Sequence, residues 1–406
     1  MIKDSIKREG NNYINLPVIK KFCADNGIGV INCRQEGIDK IEEFAGISDN
    51  NRRKVNEWLD KVLKEGIKYV YITKFSFIKE DALYGSELFW RNFCNIHGLD
   101  KYIYCNETRS TKELNYRNIK IVADSSNVKK VDIFMSLLSI SSDEPYIEST
   151  TETYPIFVEI DIENRILEIR MKSKSNIYKI KDGKTIKERI DFANRIQTDK
   201  IVKEVYNKLS EDIGFYIMDF QEFKKTLYNC YFKVLSSITE TPQPIKELLN
   251  LCKQKISQSV NELLSAGNVV GEKYYENAEK DMTMFLEKFI SISYPDKSIF
   301  KKESFAYPIK LIATDSEDTK LEETTSNFEP LQEKGAFYDH KKIIMDEKSC
   351  DGMYLAVWRE DNKYYGKEPF VVKCTYNNKG FARIRFDEYV EEEDIKNVLS
   401  RIKENI

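Results

Sequence analysis

The chain reads as an α+β protein of several domains, and three observations carry that reading. Apolar residues recur at helical spacing through residues 14–66 and again from Thr185 to Tyr294. Between those stretches, IKYVYITKF at 67–75 and PIFVEIDIENRILEIRMKS at 155–173 alternate with the period of a strand. A third region beyond residue 332 returns to short alternating runs closed by an amphipathic segment. With 406 residues, 41% of them hydrophobic, the chain has the apolar content for about two to four packed domains.

The first expected domain, 1–66, is helical. Leu16, Ile19 and Phe22 form one stripe, Gly27-Ile28 breaks it, and Ile38, Ile41 and Phe44 form a second. Asn50 then opens a helix through Val55, Trp58, Leu59, Val62 and Leu63, with Gly66 placed to cap it. The second domain, 67–182, is mixed: the strand at 67–75, a helix over 79–96, strands at NIKIVAD and VDIFMSLLSI, and a hairpin at 155–173. A two-residue Glu163-Asn164 loop pairs Ile160 with Leu167, Val158 with Ile169 and Ile156 with Met171, which makes one face wholly apolar.

From a boundary near 183 to residue 295 the pattern is helical again, interrupted by GFYIMDF and by the Pro242-Gln243-Pro244 turn. The last domain, 296–406, opens with an acidic Ser/Thr-rich segment, 315–332, that predicts an exposed loop or linker. MYLAVWRE, EPFVVKCTY and GFARIRF then read as three antiparallel strands of a small C-terminal sheet. Glu391 to Lys403 reads as a closing helix whose acidic first turn suits the helix dipole.

Charge is nearly balanced, 64 basic against 67 acidic residues, so a polyanion must be met by a local patch rather than by bulk attraction. The first residues lack the apolar core of a secretory signal, and no run of about 18 apolar residues is long enough to span a bilayer, so a cytoplasmic protein without membrane contact is expected. Eight scattered cysteines without a CxxC pair point to reduced thiols, and Cys94-x2-His97 with Cys105 lacks the two tight ligand pairs of a zinc site. His97 and His340 are the two histidines, too few for most imidazole-based schemes. Neither GxxxxGK[ST] nor GxGxxG after a strand occurs, and no cofactor is expected. The aromatic run Phe75, Phe77, Tyr84, Phe89, Trp90 and Phe93 has no interleaved basic residues and is expected in the core.

Three constellations bear on function. Pro244 to Val270 reads as a short helix (Ile245 to Leu251), a tight turn and a second helix ended by Gly267, with Lys253, Gln254, Lys255, Ser257, Gln258 and Asn261 on its outer face. With a long helix before it from Gln221 to Ile238, this stretch resembles a winged-helix, helix-turn-helix-like domain, which implies a recognition helix from about Gln254 to Ala266 laid against DNA. Residues 16–44 resemble a SAP-type helix-extended-loop-helix on Leu16, Ile19, Lys20, Phe22, the Gly27-Ile28 break and the Glu36/Ile38/Ile41 helix. That resemblance implies DNA contacts from Lys20, Lys21, Arg34 and Lys40. In the hairpin, Glu159 faces Glu168 with Asp161, Arg170 and Lys172 nearby; such acids require a cation or a shared proton between them. Either a solvated face neutralised by Arg170 and Lys172 results, or a metal-dependent nuclease using Glu159, Asp161 and Glu168, with Arg170 at the lysine position of a PD-(D/E)xK pattern.

The expectation is a non-catalytic nucleic-acid-binding protein whose partner is double-stranded DNA, as an accessory subunit of a bacterial defence or mobile-element system. The alternatives are a protein-interaction subunit of a larger complex and the nuclease.

Overall fold

The alternating segments form strands and the 3.6-period segments form helices in the computed structural model, so the α+β class holds. The structure describes residues 2–3, 6, 13–124, 127–142, 149–172, 177–180, 190–269, 271–302, 304–315, 317–360, 364–366, 368–377 and 379–406. In chain order the elements begin with α1 (Leu16–Asp25), α2 (Arg34–Ile47), α3 (Asp49–Val62), β1 (Lys68–Phe77), α4 (Asp81–Tyr84) and α5 (Glu87–His97). Next come β2 (Asn115–Asp124), β3 (Asn127–Ser142), β4 (Ser149–Asp161), β5 (Ile166–Met171), β6 (Ile177–Ile180), β7 (Ile190–Arg195), α6 (Thr198–Leu209) and β8 (Phe215–Ile217). After them lie α7 (Phe220–Ile238), α8 (Gln243–Ala266), α9 (Glu272–Ser293), α10 (Ile299–Lys302), β9 (Ala306–Thr314), β10 (Lys320–Thr324) and α11 (Gly335–Glu347). The chain ends with β11 (Gly352–Val357), β12 (Phe370–Asn377), β13 (Phe381–Phe386) and α12 (Glu392–Lys403).

The chain divides into two units: Met1–Lys224 with Arg359–Phe370 and Tyr376–Lys403, and Lys225–Trp358 with Val371–Thr375 and Glu404–Ile406. The boundary expected near 183 lies outside the described residues.

In the first unit the sheet runs β13-β1-β5-β4-β3-β6-β7, with β2 also on β3 and β8 on β1. The β4–β5 register pairs Ile160 with Leu167, Val158 with Ile169 and Ile156 with Met171, as the alternation predicts. The loop is longer than expected, because the last pair is Asp161 with Ile166 and four residues connect them. Two local features account for this: the Asp161 carboxylate accepts the Asn164 N–H at 2.9 Å, and Arg165 takes a left-handed φ of 58°. The apolar face carries Ile133, Val158, Ile169 and Tyr71, packed with Trp90 and Phe93 of α5 and Ile201, Val205 and Leu209 of α6. The aromatic run lies in this same core.

The opposite face is where α1, α2 and α3 settle, their buried residues clustering with Phe134 and Phe157 of the sheet. Close approach of α1 to α2 depends on Gly37, since a Cβ there would lie 2.5 Å from Ile19 Cγ2 and 2.6 Å from Ile31 Cδ1. The closing strand β13 pairs antiparallel with β1, so this strand and α12 belong to the first unit rather than to a separate C-terminal sheet.

In the second unit the expected helix-turn-helix is absent: Gln243–Ala266 is one continuous helix of 24 residues. Pro244 starts it and Gly267 ends it as expected, but NLCKQK between them holds neither glycine nor proline to break the ladder. The acidic segment is also more ordered than a linker, since Lys320–Thr324 forms an antiparallel hairpin with β9. Its alternating exposure and charged residues suit an outer strand. β11 pairs with the other side of β9, and β12 lies beside β11. No helix among the described residues is long and apolar enough to cross a membrane.

Candidate functional site

The polar face of the first unit's sheet supplies the site. Directly opposed residues share a face, and the registers of β2, β3, β4 and β5 align Lys120, Asp132, Glu159 and Glu168 in one row across four strands. A row with three consecutive carboxylates is repulsive unless cations intervene. They do. Lys403, on the last turn of α12, places its Nζ 2.8 Å from Glu159 Oε1 and 2.6 Å from Glu168 Oε2. Arg170 donates to Glu168 at 2.9 Å and to Glu392 at 2.5 Å, and Lys130 lies 3.2 Å from Asp161 and 3.7 Å from Glu159. Asp161, Lys130, Glu159, Lys403, Glu168, Arg170 and Glu392 thus form a chain of alternating sign.

Burial alone would push the Glu168 carboxyl up, but the Lys403 ammonium and the Arg170 guanidinium outweigh it and hold it well below the usual carboxylate range. The solvated-face expectation is therefore corrected: Asp161, Glu168, Arg170 and Lys172 are all buried. The Lys172 ammonium lies over the Tyr13 ring, 5.2 Å from the centroid, while Lys403 and Arg170 are the cations on Glu168.

Above this row opens a cleft of about 460 Å³, a size typical of ligand sites. Asp60 and Lys61 of α3, Lys64 just beyond it, Tyr102 and Cys105 of the loop after α5, and Glu392, Glu393 and Lys396 of α12 form its walls. Its floor comes from Asn118, Lys120, Asp132, Phe134, Phe157, Glu159, Glu168 and Arg170.

Most of the lining charge is already engaged. Besides the alternating chain, Asp60 accepts the Tyr102 hydroxyl and the Cys105 N–H, and Lys396 pairs with Glu393 at 3.1 Å. Four groups remain. Among the described residues no carboxylate lies within ion-pair distance of Lys61, Lys64 or Lys120, and the Asp132 carboxylate accepts no hydrogen bond. Lys64 Nζ instead sits over the Phe157 ring, 5.7 Å from its centroid, while its carbonyl accepts from Arg170. Burial pushes the Asp132 carboxyl above its ordinary value, with Lys64 the strongest opposing influence. The uncommitted charge of the cleft is three cations and one carboxylate.

The expected site residues distribute otherwise. Lys253, Gln254, Lys255, Gln258 and Asn261 are exposed on the continuous α8 and Ser257 is half-buried, so they stand on a helix without the turn that a recognition helix requires. In α1 and α2 the helix-loop-helix order is present, but Arg34 is buried and its guanidinium donates to the carbonyls of Ile6 and Ile14, which removes it from any phosphate contact. Lys21 pairs with Asp25, and Lys40 pairs with Glu36 at 2.8 Å, while Lys20 is exposed. Glu159 and Glu168 do face each other, but Asp161 is turned into the hairpin loop, where it holds Asn164. Among the described residues no three His, Cys, Asp or Glu side chains converge as a metal site would need.

Sequence reading missed Lys64, Lys120, Asp132, Glu392 and Lys403. The period-two pattern of KVDIF puts Asp132 on the polar side of its strand, and that was the available signal; nothing local points to Lys403. Comparison with protein-family models, with curated proteins and with solved structures finds no match to this chain.

Proposed function

We propose that this protein binds nucleic acid as a single strand in the charged cleft of its first unit, in a cytoplasmic setting. The observation that carries the reading is the charge left over in the cleft: among the described residues, Lys61, Lys64 and Lys120 have no carboxylate within ion-pair distance, against Asp132 alone. Ammonium groups without a carboxylate partner among the described residues suit the phosphate groups of a strand. A duplex is far too wide for a cavity of about 460 Å³, so the duplex-DNA partner expected of a helix-turn-helix gives way to a strand entering one nucleotide at a time.

Fluorescence anisotropy with labelled single-stranded oligonucleotides tests this. The Lys64→Ala/Lys120→Ala variant is expected to lose about tenfold or more in affinity at low salt, uniformly across sequences. Lys253→Glu/Lys255→Glu on α8 serves as the comparison and is expected to bind within about twofold of wild type. The reverse pattern would return the interface to α8.

A second reading, a protein-interaction subunit, draws support from one observation. Leu251, Leu263, Tyr274, Phe285 and Phe289 are all more than half exposed on α8 and α9.

A further inference from the structure

We propose that the cleft selects ribonucleotides over deoxyribonucleotides, with Asp132 accepting a hydrogen bond from the 2′-hydroxyl of a nucleotide whose phosphate lies on Lys64 and Lys120. This rests on the nucleic-acid reading of the cleft and specifies its ligand.

The argument starts from spacing. Lys120 and Asp132 are directly opposed on neighbouring antiparallel strands, and Lys64 lines the same cleft. A ligand that meets Lys120 and Asp132 together must carry an anionic group and a hydrogen-bond donor near one another, since the two residues are cross-strand neighbours. In a nucleic-acid strand the 2′-hydroxyl sits on the carbon next to the one that bears the 3′-phosphate. The amino groups of the bases lie much farther from any phosphate. DNA offers no donor at that place, and Asp132 would then face a phosphate with nothing between them.

The chemistry of Asp132 agrees. A carboxylate is an acceptor, it is half-buried, and no protein group among the described residues uses it, although every other acid of its row is bridged by a cation. Because the carboxylate is only half-buried, solvent can reach it, and a ligand hydroxyl that replaces that solvent gains a hydrogen bond to a charged group, whereas DNA has no donor to offer there. The 2′-hydroxyl is also the group by which a protein distinguishes RNA from DNA.

The test compares labelled single-stranded RNA and DNA of one sequence against wild type, Asp132→Ala and Lys64→Ala/Lys120→Ala. Wild type is expected to favour RNA by roughly tenfold or more, the size of one hydrogen bond to a charged group. Asp132→Ala is expected to weaken RNA while DNA binding is kept or tightened, because the variant also removes a repelling charge, so the preference collapses toward one. An Asp132→Ala protein that keeps the wild-type urea unfolding midpoint yet loses both ligands together would overturn the role of Asp132. Equal binding of RNA and DNA by wild type, or a preference that survives Asp132→Ala, would overturn the selectivity while leaving the cleft intact. Unchanged binding in the lysine variant, or no binding of either strand by wild type, would instead remove the cleft as the nucleic-acid site.

Discussion

Lys403 shows how one residue can hold a sheet face together. Its ammonium stands between Glu159 and Glu168, and the Glu168 side chain is only 5% exposed. Removing one member of a buried ion pair leaves an uncompensated charge, at about 3–5 kcal/mol. Because Arg170 stays on Glu168 and Glu159 is partly exposed, Lys403→Met is expected to lose less than that, about 1–3 kcal/mol, read as a shift in the urea midpoint near neutral pH. A loss under about 1 kcal/mol would mean that water already screens the two acids. The pH dependence has a definite sign. Because Glu168 is held in the folded state below its ordinary value of 4.5, to about 2, its contribution is fully present above about 4.5 and declines as pH falls toward 2. Wild type should therefore lose stability across that window, and Lys403→Met should show a smaller loss there. The facing of Glu159 and Glu168 was legible in the sequence, since alternation and a hairpin centre are local. Their cation was not, because it comes from 244 residues away, and chain proximity alone had suggested Lys172.

At the scale of elements, helical stripes located the helices but not their interruptions. The apolar spacing of residues 245–264 is compatible with one helix or with two, and only a breaker decides; NLCKQK has none, so the helix runs on. Strand β10 was hidden for a related reason, as its Glu and Thr residues give little apolar alternation while its backbone bonds to β9 supply the order. The α1–α2 pair was legible, and Gly37 explains its closeness. Gly37→Ala gains up to about 1 kcal/mol of helix propensity, but the new methyl meets Ile19 and Ile31, and overpacking typically costs about 1–3 kcal/mol. The clash should win. We expect a net destabilisation of about 1 kcal/mol in urea unfolding, the difference of those two terms. Ile31→Val removes the contacting Cδ1, so the double variant should be less unstable than the sum of its singles. A stabilised Gly37→Ala would show that the two helices have room to separate.

Across the whole molecule, the formal charge of -3 determines what kind of polyanion binding is possible. A protein with an extended basic surface releases many counterions and shows a steep salt dependence. Here 64 basic residues are offset by 67 acidic ones, and most charges of the cleft are spent on one another. Three lysines remain for phosphates, which for a single strand corresponds to a log–log salt slope of about -2. Lys64→Ala/Lys120→Ala should flatten that slope to about -0.7, since one lysine contact is left. The measurement is affinity for one oligonucleotide across a series of salt concentrations, with the slope rather than the affinity as the readout. A wild-type slope of about -6 or steeper would require roughly eight phosphate contacts, far more than the cleft holds, and would shift the interface to lysines outside it. A slope near zero in wild type would mean that the strand is held by stacking and hydrogen bonds alone, and the free lysines would then need another anion.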